Sequence, residues 1–127
     1  MIVVDTSALI AIAFDEAKAG ACSEALEAET EVLISAGTLA ESLIVARRQR
    51  QTEEVERLIV DLGVEIVNVT PASARRVAEA YDRWGKGIHP AGLNFGDCFA
   101  YALAKEHSCP LLFVGNDFAR TDIKSAL

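Results

Sequence analysis

The chain has 127 residues, of which 51% are hydrophobic, and its formal net charge is −7 at pH 7. That length suits one domain with its own core, and no apolar run approaches the roughly 18–20 residues that a membrane-spanning helix needs. The acidic balance argues against a protein that binds nucleic acid through overall positive charge, because that mode depends on many Lys and Arg contacts to phosphate.

Short apolar runs and helical patterns alternate along the chain. MIVVD predicts a first strand, and TSALIAIAF and AGACSEALEAE predict the helices that follow it. EVLIS predicts a second strand, followed by helices over GTLAESLIVARRQRQ and TEEVERLIVDLG, the latter ended by Gly63. VEIVNV predicts a third strand, and TPASARRVAEAYDRWG a helix that begins at Thr70 with Pro71 in its first position. LNFGDCFAYALAKEH predicts a last helix, which leads into a fourth strand, PLLFVG.

This alternation predicts an α/β fold with a mainly parallel central sheet of four to five strands and helices on both faces. No linker, low-complexity tract or internal repeat divides the sequence, so we expect one domain over residues 1–127. In open sheets of this kind, ligands bind beyond the carboxyl ends of the strands. A functional site is therefore expected at that edge.

The cysteines and the first residues of the chain bear on its location. Cys22, Cys98 and Cys109 are odd in number and lack C-x-x-C spacing, which disfavours a disulfide framework and a zinc site. The apolar start has no basic leader and is interrupted by Asp5. We predict a soluble, cytoplasmic protein without membrane contact, whose thiols are reduced, buried and passive.

Four acidic residues stand out, and three of them lie where the carboxyl ends of the predicted strands imply a site. Asp5 ends the first strand, and Glu41 lies in the first turn of the helix after the second strand. Asp97 begins the helix before the fourth strand, and Asp117 lies just past that strand. Converging carboxylates repel one another unless a cation neutralises them. Mg²⁺ and Mn²⁺ take oxygen ligands and are typically held by a few carboxylates plus substrate phosphate, so this set suits phosphoryl chemistry.

Each of these acids also has an ordinary structural explanation. Asp5 could cap the helix that follows it, and the run TLAE that ends at Glu41 fits a capping box. Asn94 and Asp97 make a weaker version of the same box. Capping, however, does not require separate elements to bring their acids to one edge of one sheet.

Two groups of basic residues interrupt the acidic sequence. The ordinary explanation is a solvated helix face or favourable charge near a helix C-terminus, and contact with the phosphates of a nucleic acid is the alternative. The groups are Arg47, Arg48 and Arg50 on one predicted helix, and Arg75, Arg76, Arg83 and Lys86 along another.

The segments VDTSALIAI, LAES, GKGIHPAGLNFGDCFAYALAK and LLFVGNDFARTDI, in that order and spacing, resemble the PIN-domain ribonuclease toxins of the VapC family. The resemblance covers nearly the whole chain, and GLNFGDCFAYALAK is its most specific part. It implies a PIN-like three-layer fold and an endoribonuclease that cuts a structured cellular RNA, of the tRNA or rRNA class, with Mg²⁺ or Mn²⁺. It also implies a homodimer and inhibition by a VapB-type antitoxin, in a heterotetramer or a larger complex.

The same resemblance implies roles for particular residues. Asp5 and Asp97 would be the core metal ligands, with Glu41 and Asp117 completing an acidic quartet. Thr6 occupies the hydroxyl position after the first acid, where it could orient a ligand or a water molecule, or simply act as a helix N-cap.

The last motif departs from the family pattern at one position. Close relatives often carry an acid where this chain has Asn116, which leaves open whether Asn116 or Asp117 faces the metal and weakens the case for a second metal site. Asp122 is a further candidate of the same segment that could instead only shape the turn.

Two alternatives to the nuclease hypothesis follow from these residues. One is a catalytically weak PIN-fold scaffold that only binds a partner, with Asn116 as a sign of lost activity. The other is a metal-dependent phosphatase-like domain for phosphoryl transfer. That class uses a nucleophilic Asp in a D-x-D run after the first strand, whereas Asp5 is followed by Thr6 and Ser7.

Overall fold

The computed structural model describes residues 1–127 and confirms every predicted strand and helix, in the predicted order. The strands are β1 (Ile2–Val4), β2 (Val32–Ser35), β3 (Glu65–Val67) and β4 (Leu111–Leu112). The helices are α1 (Thr6–Ala13), α2 (Ala19–Glu27), α3 (Ala36–Arg48), α4 (Thr52–Asp61), α5 (Pro71–Trp84) and α6 (Phe95–Glu106), with a short 3₁₀ helix at Phe118–Arg120.

The strands form one parallel sheet in the order β3-β2-β1-β4. Val3 of β1 lies opposite Leu33 of β2 on one side and Leu111 of β4 on the other. The chain runs outward from β1 to β2 and β3, and then returns to pair β4 with the free side of β1. The sheet therefore has its topological switch point between β1 and β4, where ligands bind in open α/β sheets.

Hydrophobic side chains cover both faces of this sheet, because successive strand residues point to opposite sides. Ile2 and Val4 pack into a cluster with residues of α1, α2 and α4. Val3 packs on the other face with residues of α5 and α6. The arrangement is the predicted three-layer one, and it explains why the short strands are almost entirely apolar rather than alternating.

The cysteines behave as predicted. Cys22, Cys98 and Cys109 are free and buried. Burial raises the pKa of each thiol, that of Cys98 to about 11, so all three remain protonated and poorly nucleophilic at neutral pH. None of the helices combines the length and apolar character required to cross a membrane.

One of the two capping boxes considered near the site forms, and the other does not. Asn94 Oδ1 accepts the Asp97 N–H at 2.8 Å, and Asp97 Oδ2 accepts the Asn94 N–H at 3.0 Å. The TLAE box does not form: α3 begins at Ala36, because Ser35, the last residue of β2, already caps it. Glu41 consequently lies in the second turn of α3 rather than the first.

Candidate active site

Asp5 stands at the switch point, at the end of β1, and caps α1. Its Oδ2 accepts hydrogen bonds from the Ser7 N–H at 3.0 Å and the Ser7 hydroxyl at 2.6 Å. Its Oδ1 is buried and has no hydrogen-bond partner. Burial raises the pKa of Asp5 from 3.8 to about 6, the Ser7 hydrogen bonds lower it, and the charge of Glu41 raises it. A buried carboxylate oxygen without a donor is costly, and a cation would remove that cost.

Asp97 carries a second perturbed carboxylate, in the first turn of α6. Burial raises its pKa from 3.8 to about 7, and the hydrogen bond from the Asn94 N–H opposes the rise. The charges of Asp5, Glu41 and Asp117 raise the pKa further. Asp5, Glu41 and Asp117 therefore all lie within electrostatic range of Asp97.

Glu41 is held in place by α1. The Thr6 hydroxyl donates to Glu41 Oε1 at 2.6 Å, and Ser42 Oγ lies 3.0 Å from Thr6 Oγ1. Thr6 is therefore not the N-cap of α1, since Asp5 has that role. Ser42 also donates to the carbonyl oxygen of Thr38 at 2.8 Å. The hydrogen bond from Thr6 fixes Oε1 of Glu41. The other carboxylate oxygen, Oε2, has no hydrogen-bond partner in the protein.

Two glycines let α3 approach the first turn of α6. A methyl group on Gly96 would overlap the Glu41 carboxylate, and one on Gly37 would overlap the Phe99 ring. Glu41 therefore lies against the N-terminal turn of α6, where the unpaired N–H groups favour negative charge. Since Asp5 lies at the N-terminus of α1 and Asp97 in the first turn of α6, two helix dipoles partly offset the repulsion among the acids.

The remaining predicted residues separate into two groups. Asp117 and Asn116 are exposed on the segment after β4, and only the Asp117 charge acts on Asp97. Asp122 instead accepts a hydrogen bond from the Tyr101 hydroxyl at 2.6 Å and one from Lys105 Nζ at 3.1 Å. Those two partners lie one and two turns beyond Asp97 on α6, so Asp122 is bound away from the first turn of that helix, and its supporting role in the site stays a prediction.

The reason lies in the charges around Asp122. Burial opposes its ionisation, but the hydrogen bonds from Tyr101 and Lys105, together with the positive charges of Lys105 and Arg83, prevail and lower its pKa. Arg83 lies 3.7 Å from the same carboxylate. Asp122 is thus a structural anion that joins the C-terminal segment to α5 and α6.

The site has the donor chemistry of a hard divalent cation. No three side chains of the Asp, Glu, His or Cys type lie close enough together to surround a metal ion. Mg²⁺ does not require such a cage, because it keeps several waters and is usually held by one or two carboxylates plus substrate phosphate. Asp5, with its unpartnered oxygen, and Asp97 fit that role, and a cation would lower both raised pKa values.

Comparisons with known proteins agree with this geometry. The family model described as "PIN domain" matches residues 2–124. Ribonuclease VapC42 of Mycobacterium tuberculosis is 41% identical over 98% of each chain. Ribonuclease VapC28 of the same organism is 43% identical over 98% of this chain and 97% of its own. The chain belongs to the VapC family of PIN-domain ribonucleases.

Solved structures share the fold of this VapC chain. Mycobacterium tuberculosis VapC20, described as a Sarcin-Ricin loop cleaving toxin, superposes with a TM-score of 0.78 at 19% identity and covers 97% of this chain and 96% of its own. A chain of a toxin–antitoxin complex from Klebsiella pneumoniae has a TM-score of 0.70 at 23% identity, covering 96% and 93%. At these identities the likeness concerns the fold alone.

Sequence reasoning missed three residues around the VapC acids. Ser7 binds Asp5 and also accepts the Val114 N–H at 3.0 Å, which joins α1 to the segment after β4. Ser42 supports Thr6, and Gly96 leaves room for the Glu41 carboxylate. The signal for Ser7 and Gly96 was present, because both lie inside the specific DTSAL and NFGDCF segments. Nothing local identified Ser42.

The two basic groups differ in whether acidic side chains of the protein already pair with their members. Arg47, Arg48 and Arg50 of α3 and its C-terminal end are exposed and take part in no ion pair. Arg76 and Arg83 of α5 are paired with acids of neighbouring segments. Arg75 and Lys86 of the second group are exposed and likewise have no acidic partner. The α3 arginines are therefore the basic group in which every member is free for an RNA phosphate.

Proposed function

We propose that this VapC chain is a Mg²⁺- or Mn²⁺-dependent endoribonuclease and the toxin of a type II toxin–antitoxin module, built as a single PIN domain. The observations that carry the proposal are that the charges of Asp5, Glu41 and Asp117 all act on Asp97, and that a buried oxygen of Asp5 has no partner. An arrangement that only capped helices would not leave that oxygen without a donor.

In this proposal, Asp5 and Asp97 hold the cation. When bound, the cation supplies a water of lowered pKa and stabilises charge on the leaving oxygen. Glu41, held at Oε1 by Thr6, offers Oε2 as the acceptor that orients a water for attack on phosphorus. The N-termini of α1 and α6 face the same region and favour the negative phosphate. Asp117 adds negative charge at the open side of the site.

The proposed substrate is a structured cellular RNA of the tRNA or rRNA class, and the proposed location is the cytoplasm, where such RNAs are used. The description of VapC20 as a Sarcin-Ricin loop cleaving toxin supports this class of RNA. The proposed partner is a VapB-type antitoxin, bound to a toxin homodimer in a heterotetramer or a larger assembly. Toxin–antitoxin complexes of the same fold, from Klebsiella pneumoniae and Rickettsia felis, support this partnership.

Metal dependence is tested with the purified chain and total tRNA and rRNA. We expect cleavage in Mg²⁺ or Mn²⁺, none in EDTA, and none for Asp5→Asn, whereas the exposed control Asp82→Asn retains activity. Mg²⁺ at about 100 times its Kd should also stabilise the wild-type fold by about 2.7 kcal/mol. Full activity in EDTA overturns the metal mechanism. A chain that binds metal but cuts none of these RNAs favours the scaffold or phosphatase alternatives.

Inhibition is tested by solving the complex with the cognate antitoxin. Because the site is acidic, we expect an antitoxin Arg or Lys to reach Asp5, Glu41 or Asp97 and to displace the metal. A complex in which the antitoxin occupies only the opposite face and leaves metal in place contradicts this mode of inhibition.

A further inference from the structure

An open pocket lies beside the acids, between α3 and α6. Its volume is about 350 Å³, and its apolar lining comes mainly from Ile44 and Val45 of α3 and from Phe95 and Phe99 of α6. Two of these side chains are unusually exposed for their type: Phe95 at 71% and Ile44 at 54%. Exposed apolar groups that meet at one cavity, rather than being scattered singly, are typical of a binding surface.

The position of the Phe95 ring is fixed by a neighbouring aromatic ring. Its ring centroid lies 5.0 Å from that of Phe99 at an interplanar angle of 88°, so the two rings meet edge to face and do not stack. The Phe99 ring is fixed in turn against Gly37, where a methyl group would collide with it. Most of the Phe95 surface therefore remains available to another flat ring, and little conformational entropy is lost when one binds.

The pocket is continuous with the proposed site of phosphodiester cleavage. Glu41 and Gly96 form part of its wall, and Phe95 is two residues before Asp97 in the same helical turn. Arg48 lines the pocket as well and has no acidic partner in the protein. A strand whose scissile phosphate lies at the acids would thus meet an aromatic surface and then a free guanidinium.

We propose that this pocket binds a nucleobase next to the scissile phosphate of single-stranded RNA, with Phe95 stacking on the base and Arg48 contacting the backbone. The inference rests on the proposed ribonuclease function, since it takes the acids as the place of cleavage. Aromatic side chains combined with arginines are the usual means of binding unpaired nucleotides. An amphipathic partner helix would instead need apolar anchors over several turns, whereas Glu41 and Arg48 bound the short apolar stretch that α3 contributes to this lining.

The test compares the RNA affinities of variants that all carry Asp97→Asn, which prevents cleavage during the measurement. Fluorescence anisotropy in Mg²⁺ compares a short labelled oligoadenylate with an abasic ribose-phosphate strand of the same length. Phe95→Ala should weaken oligoadenylate binding about 5- to 150-fold, which is about 1–3 kcal/mol, and leave abasic-strand affinity unchanged. Phe95→Trp should retain oligoadenylate binding, and Arg48→Gln should weaken both strands alike. Val60→Ala, at an apolar α4 position that is 75% exposed and outside the pocket, is the matched control.

Three outcomes would overturn the inference. In the first, Phe95→Ala affects both strands equally or neither. In the second, Phe95→Ala leaves RNA binding intact, but sedimentation shows that a dimer of the chain has become a monomer. That result would assign the pocket to a second copy of the chain. In the third, it abolishes only antitoxin binding. The proposed function fails separately, through absence of RNA cleavage by the wild-type chain in Mg²⁺.

Discussion

Replacing Asp97 by asparagine separates the two roles that this residue has in the structure. Its Oδ2 closes a capping box with Asn94, and its negative charge belongs to the group of four acids. Asparagine has nearly the same size and can still accept the Asn94 N–H, but it carries no charge. The variant therefore keeps the cap and loses the charge that would hold a cation.

The expected gain in stability follows from the pKa. Burial, followed by the neighbouring acids, raises the pKa of Asp97 from 3.8 to about 7, a difference that corresponds to about 4 kcal/mol at about 1.4 kcal/mol per factor of ten. We halve this to about 2 kcal/mol, because the side chain is only partly buried and solvent screens its charge. In EDTA at pH 8, Asp97→Asn should raise the free energy of unfolding by that amount, or about 6–10 °C in Tm.

The sign depends on pH. Above about 7, Asp97 is ionised in both the folded and the unfolded wild-type chain, so the whole cost of the buried charge is present. As the pH falls from about 7 toward 4, the folded chain binds this proton before the unfolded chain does, and the wild type recovers stability. The advantage of Asp97→Asn should therefore shrink over that range.

The assay combines thermal unfolding, with and without Mg²⁺, and cleavage of a susceptible RNA. Asp97→Asn should fold, gain little from Mg²⁺ and lose most cleavage. Asn94→Ala is the matched control, because it removes the cap and keeps the charge. It should lose about 0.5–2 kcal/mol of stability and keep its response to Mg²⁺. A well-folded Asp97→Asn chain that cuts RNA at the wild-type rate would remove Asp97 from the site.

Three further predictions concern the same region. Because both buried site acids have raised pKa values, urea unfolding in EDTA should show greater stability as the pH falls from about 8 to about 5, and a flat profile would contradict those pKa values. Thr6→Val removes the hydrogen-bond donor to Glu41, and Gly96→Ala displaces the Glu41 carboxylate. Each variant should therefore lower kcat/KM about tenfold or more while its circular dichroism spectrum stays unchanged. Full activity would show that Glu41 does not position the attacking water. Neutralising Arg47, Arg48 and Arg50 together should reduce, by about 2, the slope of the logarithm of RNA affinity against the logarithm of salt concentration. An unchanged slope would mean that these arginines form a solvated helix face and do not contact phosphate.

The sequence alone determined the elements and the edge of the sheet at which the acids meet. Apolar periodicity, Gly63 and the Thr70 cap depend on residues within a few positions of one another, so they can be seen without a structure. The Asn94 to Asp97 box is local in the same sense. Parallel strands then bring their carboxyl ends together whatever the details of packing, which is why a site could be expected at that edge. The choice of Asp5 and Asp97 as metal ligands came from the resemblance to the VapC family and stays a prediction.

Only the tertiary structure decided which atoms these side chains meet. Ser35 and Thr38 both fit a helix cap, and the end of β2 selected Ser35, which moved Glu41 into the second turn of α3 and within reach of Thr6. Asp122 fits the acidic group by sequence, yet partners from α5 and α6 bind it elsewhere. Such pairings join segments far apart in the chain, and the burial and neighbouring charges that set a carboxylate's pKa exist only once those segments have packed.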